Sequence, residues 1–151
     1  MLENSVRLKL LTRLLRLAGV VTIAAFPAML LPTDWMASTH RWLGLGEFPA
    51  TPVVDYLTRS VAALYGFHGA LVLLVSRDPV RFRPIVTYIG MMNIVFGILM
   101  ILVDLHARLP MSWVLGEGPP IIAFGICVFL LNKPARSPVT TERARSDRRA
   151  R

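Results

Sequence analysis

Four long apolar runs, separated by short polar breaks, dominate the hydrophobic pattern of this chain. They fall at about residues 14–31, 53–76, 84–106 and 111–131. Each is close to the roughly 20 residues a helix needs to cross the hydrocarbon core of a bilayer. The signals at their ends agree with helices. Thr51 and Pro52 form a cap-and-start pair for the second run, and Arg77, Asp78 and Pro79 end it. Pro110 precedes the fourth, and Asn132, Lys133 and Pro134 close it. Pro27 lies inside the first run and is expected to kink it or end its regular part. The fourth run carries Gly116, Glu117, Gly118, Pro119 and Pro120 about a third of the way along. This predicts a helix that starts near Pro119, or one that is broken there. A broken membrane helix is tolerated only where protein or a wet cavity surrounds it.

The pattern predicts an all-α, integral membrane four-helix bundle over residues 1–132, followed by a basic tail over 133–151. Residues 35–48, with Trp35, Trp42 and Phe48 among polar neighbours, read as an interfacial segment holding one short helix from Trp35 to Leu43, or as an ordinary loop with belt aromatics. Composition fits lipid as part of the solvent. The chain has 151 residues, 54% hydrophobic and only 17% charged, against roughly 25% charged in soluble domains. That excludes bulk disorder. One cysteine, Cys127, excludes a disulfide-stapled module.

The formal charge of +8 sorts by loop. The N-terminal flank, the loop between the second and third runs, and the tail together carry +10. The other loops and the adjoining helix ends carry −2. The positive-inside rule then places both termini in the cytoplasm, in a multi-pass protein of a bacterial inner membrane. The tail lacks aromatics and any nucleic-acid-binding pattern, so no nucleic-acid partner is expected. It is expected to be disordered and to lie near anionic lipid headgroups.

Ionisable groups near a span are the first place to look for function, because they are costly there. Asp55 and Arg59 share a face of the second run, either as an interfacial ion pair or as site residues. Gly66 and Gly69 continue that face, and Gly97 lies on the third run. These small residues permit close helix approach. Asn93, Gly97, Met100 and Asp104 share a face of the third run, with Asn93 expected to act as a link between helices. Asp55, Arg59, Asp104, His106, Arg108 and Glu117 belong to one outer layer. They either converge on a pocket, with Arg59, His106 or Arg108 opposite Glu117, or form a scattered, wetted rim. His68 is roughly opposite Arg59 around the helix and is expected to make a structural hydrogen bond.

No cofactor or metal is expected. His40 and His106 are at the wrong depth to pair with His68 on a haem, there is no CxxC, and there is no phosphate loop or dinucleotide fingerprint.

The run YGFHGALVLL over residues 65–74, the basic turn RDPVRFRP over 77–84 and a third span with a central polar residue and glycine have a common layout. It resembles the small four-span bacterial membrane proteins typified by the DoxX-like families. The resemblance covers about residues 14–131 and implies a membrane subunit linked to respiratory or redox chemistry. It transfers no catalytic residue. Two functions are therefore expected: an accessory or structural subunit of a membrane assembly (or homo-oligomer), whose glycine faces or aromatic loop meet another chain; or a protein that binds a small molecule or lipid in a polar pocket between the second, third and fourth spans. A proton or ion pathway ranks third, since Asn93, Tyr65, Tyr88 and His68 do not share one face.

Overall fold

A computed structural model describes residues 2–133. It contains five α-helices: α1 (Leu2–Ile23), α2 (Thr33–Trp42), α3 (Pro52–Val75), α4 (Arg83–His106) and α5 (Met111–Leu131). A 3-10 turn, Phe26–Leu30, follows α1. Four segments are long and apolar enough to cross a membrane: Asn4–Leu30, Pro52–Val75, Arg83–His106 and Met111–Leu131. The protein is thus a multi-span, all-α membrane bundle, and the short α2 lies between the first two spans. The basic tail beyond Lys133 falls outside the described residues.

Several local expectations hold. The regular part of α1 ends four residues before Pro27, which sits in the first turn of the 3-10 segment. Thr51 caps α3, its hydroxyl accepting the Val54 N–H at 3.4 Å, with Pro52 at the first helical position. Helix α2 ends on Gly44 at φ +76, where Gly44 and Leu45 donate back to the carbonyls of Arg41 and His40. That left-handed cap is where glycine carries no steric penalty.

Two expectations need correction. Helix α1 starts at Leu2 rather than near residue 14, so the basic flank is helical and lies against the end of α5. The fourth span is neither short nor broken: α5 runs unbroken through Gly116–Pro120. The prolines remove the N–H groups that would bond the carbonyls of Leu115 and Gly116. Both carbonyls lie within two turns of the helix start, near the membrane boundary. Gly116 is exposed, with open space where a Cβ would project.

The helices form two tight antiparallel pairs, α1 with α3 and α4 with α5, joined chiefly by α1 against α5. Glycine sets both. In the first pair a Cβ on Gly69 would lie 2.5 Å from the backbone nitrogen of Ile23 and 2.8 Å from the Gly19 carbonyl. In the second, Gly90 faces Gly125 and Gly97 faces Gly118. Members of each helix's pair are seven residues apart, so they recur on one face every two turns. Close backbone approach of this kind supplies the dispersion that drives association in lipid.

A buried cluster drawn from all four spans lies in the half nearest the termini: Leu11 and Leu15 of α1, Val72 and Val75 of α3, Val86 and Ile89 of α4, and Val128 of α5. Asn132 fastens the same end. Its amide donates to the Arg83 carbonyl at 3.0 Å and to the Thr87 hydroxyl at 2.9 Å. In the distal half, the close glycine contacts are all within a pair: Gly66 against Phe26, and Gly97 against Gly118.

Candidate functional site

The polar residues of the distal half divide into two separate groups. The first closes the start of α3 onto the 3-10 turn. Arg59 donates to both carboxylate oxygens of Asp55, at 2.9 Å from Nε and 3.0 Å from Nη2. Its Nη1 donates to the Met29 carbonyl at 2.6 Å. Thr33 adds a longer bond to Asp55 Oδ1 at 3.4 Å. The i, i+4 spacing makes the fork geometrically possible. The Met29 carbonyl needs a donor because 3-10 turns leave backbone groups open. Arg59 therefore holds the chain as it leaves the first span, and it does not meet Glu117. Replacing it with methionine, which keeps much of the stem, is expected to leave α3 intact and loosen residues 24–33. Amide hydrogen exchange should speed up there and nowhere else; uniform exchange along α1 and α3 would refute this role.

The second group lies where α4 ends and α5 begins. Asp104, in the last turn of α4, is 3% exposed, and its Oδ2 is enclosed with no hydrogen-bond partner among the described residues. Glu117, one and a half turns into α5, is half-buried and accepts the Trp113 indole N–H at 2.8 Å. Glu117 lies close enough to Asp104 on α4 and to Tyr65 on α3 for their charges and dipoles to interact. Three spans thus contribute to one polar region. The contribution of α3 is Tyr65 rather than Arg59. Trp113 is the member a search for ionisable groups misses, although Trp113 and Glu117 carry the i, i+4 signal; Tyr65, weighed as part of an ion pathway, joins this group instead.

The other candidates stand apart. Asn93 donates to the Ile89 carbonyl of its own helix at 2.8 Å and does not link helices. His106 and Arg108 are exposed. Arg108 takes φ +56 as the residue that turns the chain out of α4, with the N–H groups of Arg108 and Leu109 returning to the carbonyls of Leu105 and Asp104. His68 is exposed and makes no hydrogen bond among the described residues, against expectation. Gly66, Gly69 and Gly97 are packing residues, but their partners are Phe26, Gly19 and Gly118 of the same chain. Their faces are therefore occupied. No group of metal-binding side chains occurs among the described residues.

No family model, curated protein or solved structure matches this chain, so the likeness to the DoxX-like families rests on layout alone. The class defined by fold and site is a small multi-span helical membrane protein with a buried carboxylate beside a second one.

Proposed function

We propose that the protein binds a small amphiphile, lipid or otherwise, whose head donates hydrogen bonds or carries positive charge, at Asp104 and Glu117. The supporting observation is Asp104 Oδ2, buried and without a donor. A buried acceptor left unpaired costs about 1–3 kcal/mol, and a second carboxyl nearby adds repulsion unless a proton or cation is shared. A donor-bearing head removes both costs. Its apolar part stays in the distal half, away from the buried cluster that joins all four spans at the other end. Tyr65 and Trp113 supply aromatic surface beside the head. In this reading the charge distribution sets both termini in the cytoplasm of a bacterial inner membrane, with the site on the opposite side.

The test uses Trp113 as reporter. The chain has three tryptophans, so W35F/W42F leaves it alone. Octylamine is expected to shift Trp113 emission saturably, and octanol of equal chain length is expected to do so far more weakly. Asp104→Asn should abolish the difference. Equal responses to the two probes, or an unchanged octylamine response in the variant, would overturn the reading.

An accessory-subunit role is favoured by one observation, the exposed and unpartnered His68 within a spanning helix. A polar side chain at that depth is stabilised by a neighbour. Crosslinking from position 68 in native membranes would capture a second polypeptide in that case, and only lipid otherwise.

A further inference from the structure

The end of the bundle that carries the termini holds a cavity of about 170 Å³ between the start of α1, the loop before α4 and the end of α5. Taking about 30 Å³ per water molecule, it has room for about five, enough for a small polar head. Among the described residues three cationic ones line it, Arg7, Arg83 and Lys133, and no acidic one does. Leu8, Leu11 and Val80 form its apolar wall.

Arg7 is held in place by the fold. Arg7 donates through Nη2 to the carbonyls of Leu130, Leu131 and Lys133 at 2.9, 3.1 and 3.2 Å. It thereby caps the negative end of α5 and is fixed at the rim. Arg83 begins α4, so the positive end of that helix dipole adds to the field. Among the described residues the Nε of Arg83 is buried and has no hydrogen-bond partner. The cavity is open on one side, and a guanidinium in its wall is best met by a charged acceptor oxygen. The Asn132 amide also lines the cavity, but it is already committed to Arg83 and Thr87.

We propose that this cavity binds the phosphodiester headgroup of an anionic phospholipid. Arg83 and Lys133 contact the phosphate oxygens, Arg7 contributes charge from the rim, and the acyl chains leave along Leu8, Leu11 and Val80. A phospholipid is preferred to free phosphate because the wall beside the cations is apolar, with Leu8 and Leu11 on the first spanning helix. This site is at the opposite end of the bundle from Asp104 and stands or falls independently of it.

Native mass spectrometry of the full chain tests this with phosphatidylglycerol and phosphatidylcholine of matched acyl chains, and with inorganic phosphate. One phosphatidylglycerol is expected to be retained with a preference of about tenfold or more over phosphatidylcholine, given the attraction expected for each cation. R83Q/K133Q should lose that preference, while the charge-matched tail variant R148Q/R149Q keeps it. Val80→Trp, which fills the cavity without changing charge, should also lose it and separates occupancy from any folding defect of the first variant. Equal loss in the tail variant would overturn the site in favour of diffuse attraction. Retention by R83Q/K133Q or Val80→Trp would overturn it outright. Displacement of phosphatidylglycerol by equimolar inorganic phosphate would overturn the lipid assignment.

Discussion

Leucine at Gly97 or Gly125 is expected to force α4 and α5 apart and to cost about 3 kcal/mol, the upper range for overpacking a close contact. A Cβ at Gly125 would stand 2.6 Å from the Gly90 carbonyl and 2.8 Å from the Ile94 nitrogen. At Gly97 it would stand 2.8 Å from the Gly118 carbonyl and 3.0 Å from the Ile122 nitrogen. These neighbours are backbone atoms in the middle of helices, so no rotamer change relieves the clash. Whole helices must move, and the contacts along the pair are lost with them. Gly116 provides the comparison on the same helix. A Cβ there meets nothing within 4 Å, so Gly116→Ala should be neutral or gain up to about 1 kcal/mol from helix propensity. Unfolding in mixed micelles distinguishes the two sites. A Gly125→Leu midpoint equal to that of Gly116→Ala would mean that α4 and α5 are not in backbone contact.

Those same glycines show where sequence reasoning stops. The four spans, the Thr51–Pro52 start and the role of Pro27 were legible because each rests on a local rule about dihedral angles or missing N–H groups. The Asp55–Arg59 pair was legible because one helical turn separates its members. Gly118 was not, because it sits between Glu117 and Pro119 in a stretch whose composition argues for a break. Its partner, Gly97, is 21 residues away on another helix. One signal was present: Gly90 and Gly97, and Gly118 and Gly125, are each separated by seven residues, the recurrence of two helices in sustained contact. The helical start at Leu2 was hidden for a different reason. Arg7, Lys9 and Arg13 make that stretch too polar to read as part of a span, and it is the contact of Arg7 with the end of α5 and the burial of Leu11 that tie it to the bundle. The grouping of Tyr65 with Glu117 depends on how one helix pair is rotated against the other, which no local pattern records.

Asp104→Asn is expected to stabilise the protein by about 1–3 kcal/mol, the cost of leaving a buried acceptor unpaired. Among the described residues Oδ2 is enclosed and receives no donor, and the Glu117 carboxylate lies nearby. An amide at position 104 removes one negative charge from the pair and supplies N–H groups that can face Glu117. The change keeps the shape of the side chain, so no cavity opens at the end of α4. Most substitutions at buried positions destabilise, which makes the expected sign informative. A raised unfolding midpoint, together with loss of the octylamine response, would mean that the carboxylate is kept at the expense of stability because it acts on something. A lowered midpoint would mean that Asp104 already has a structural partner, such as a shared proton with Glu117, and would remove the main support for a ligand there. Glu117→Gln separates these outcomes further. It keeps an acceptor for the Trp113 indole, which now donates at 2.8 Å, while ending the repulsion with Asp104. If repulsion is the dominant cost, Glu117→Gln and Asp104→Asn should raise the midpoint by similar amounts and the double variant should add little, because either substitution alone removes the charge pair.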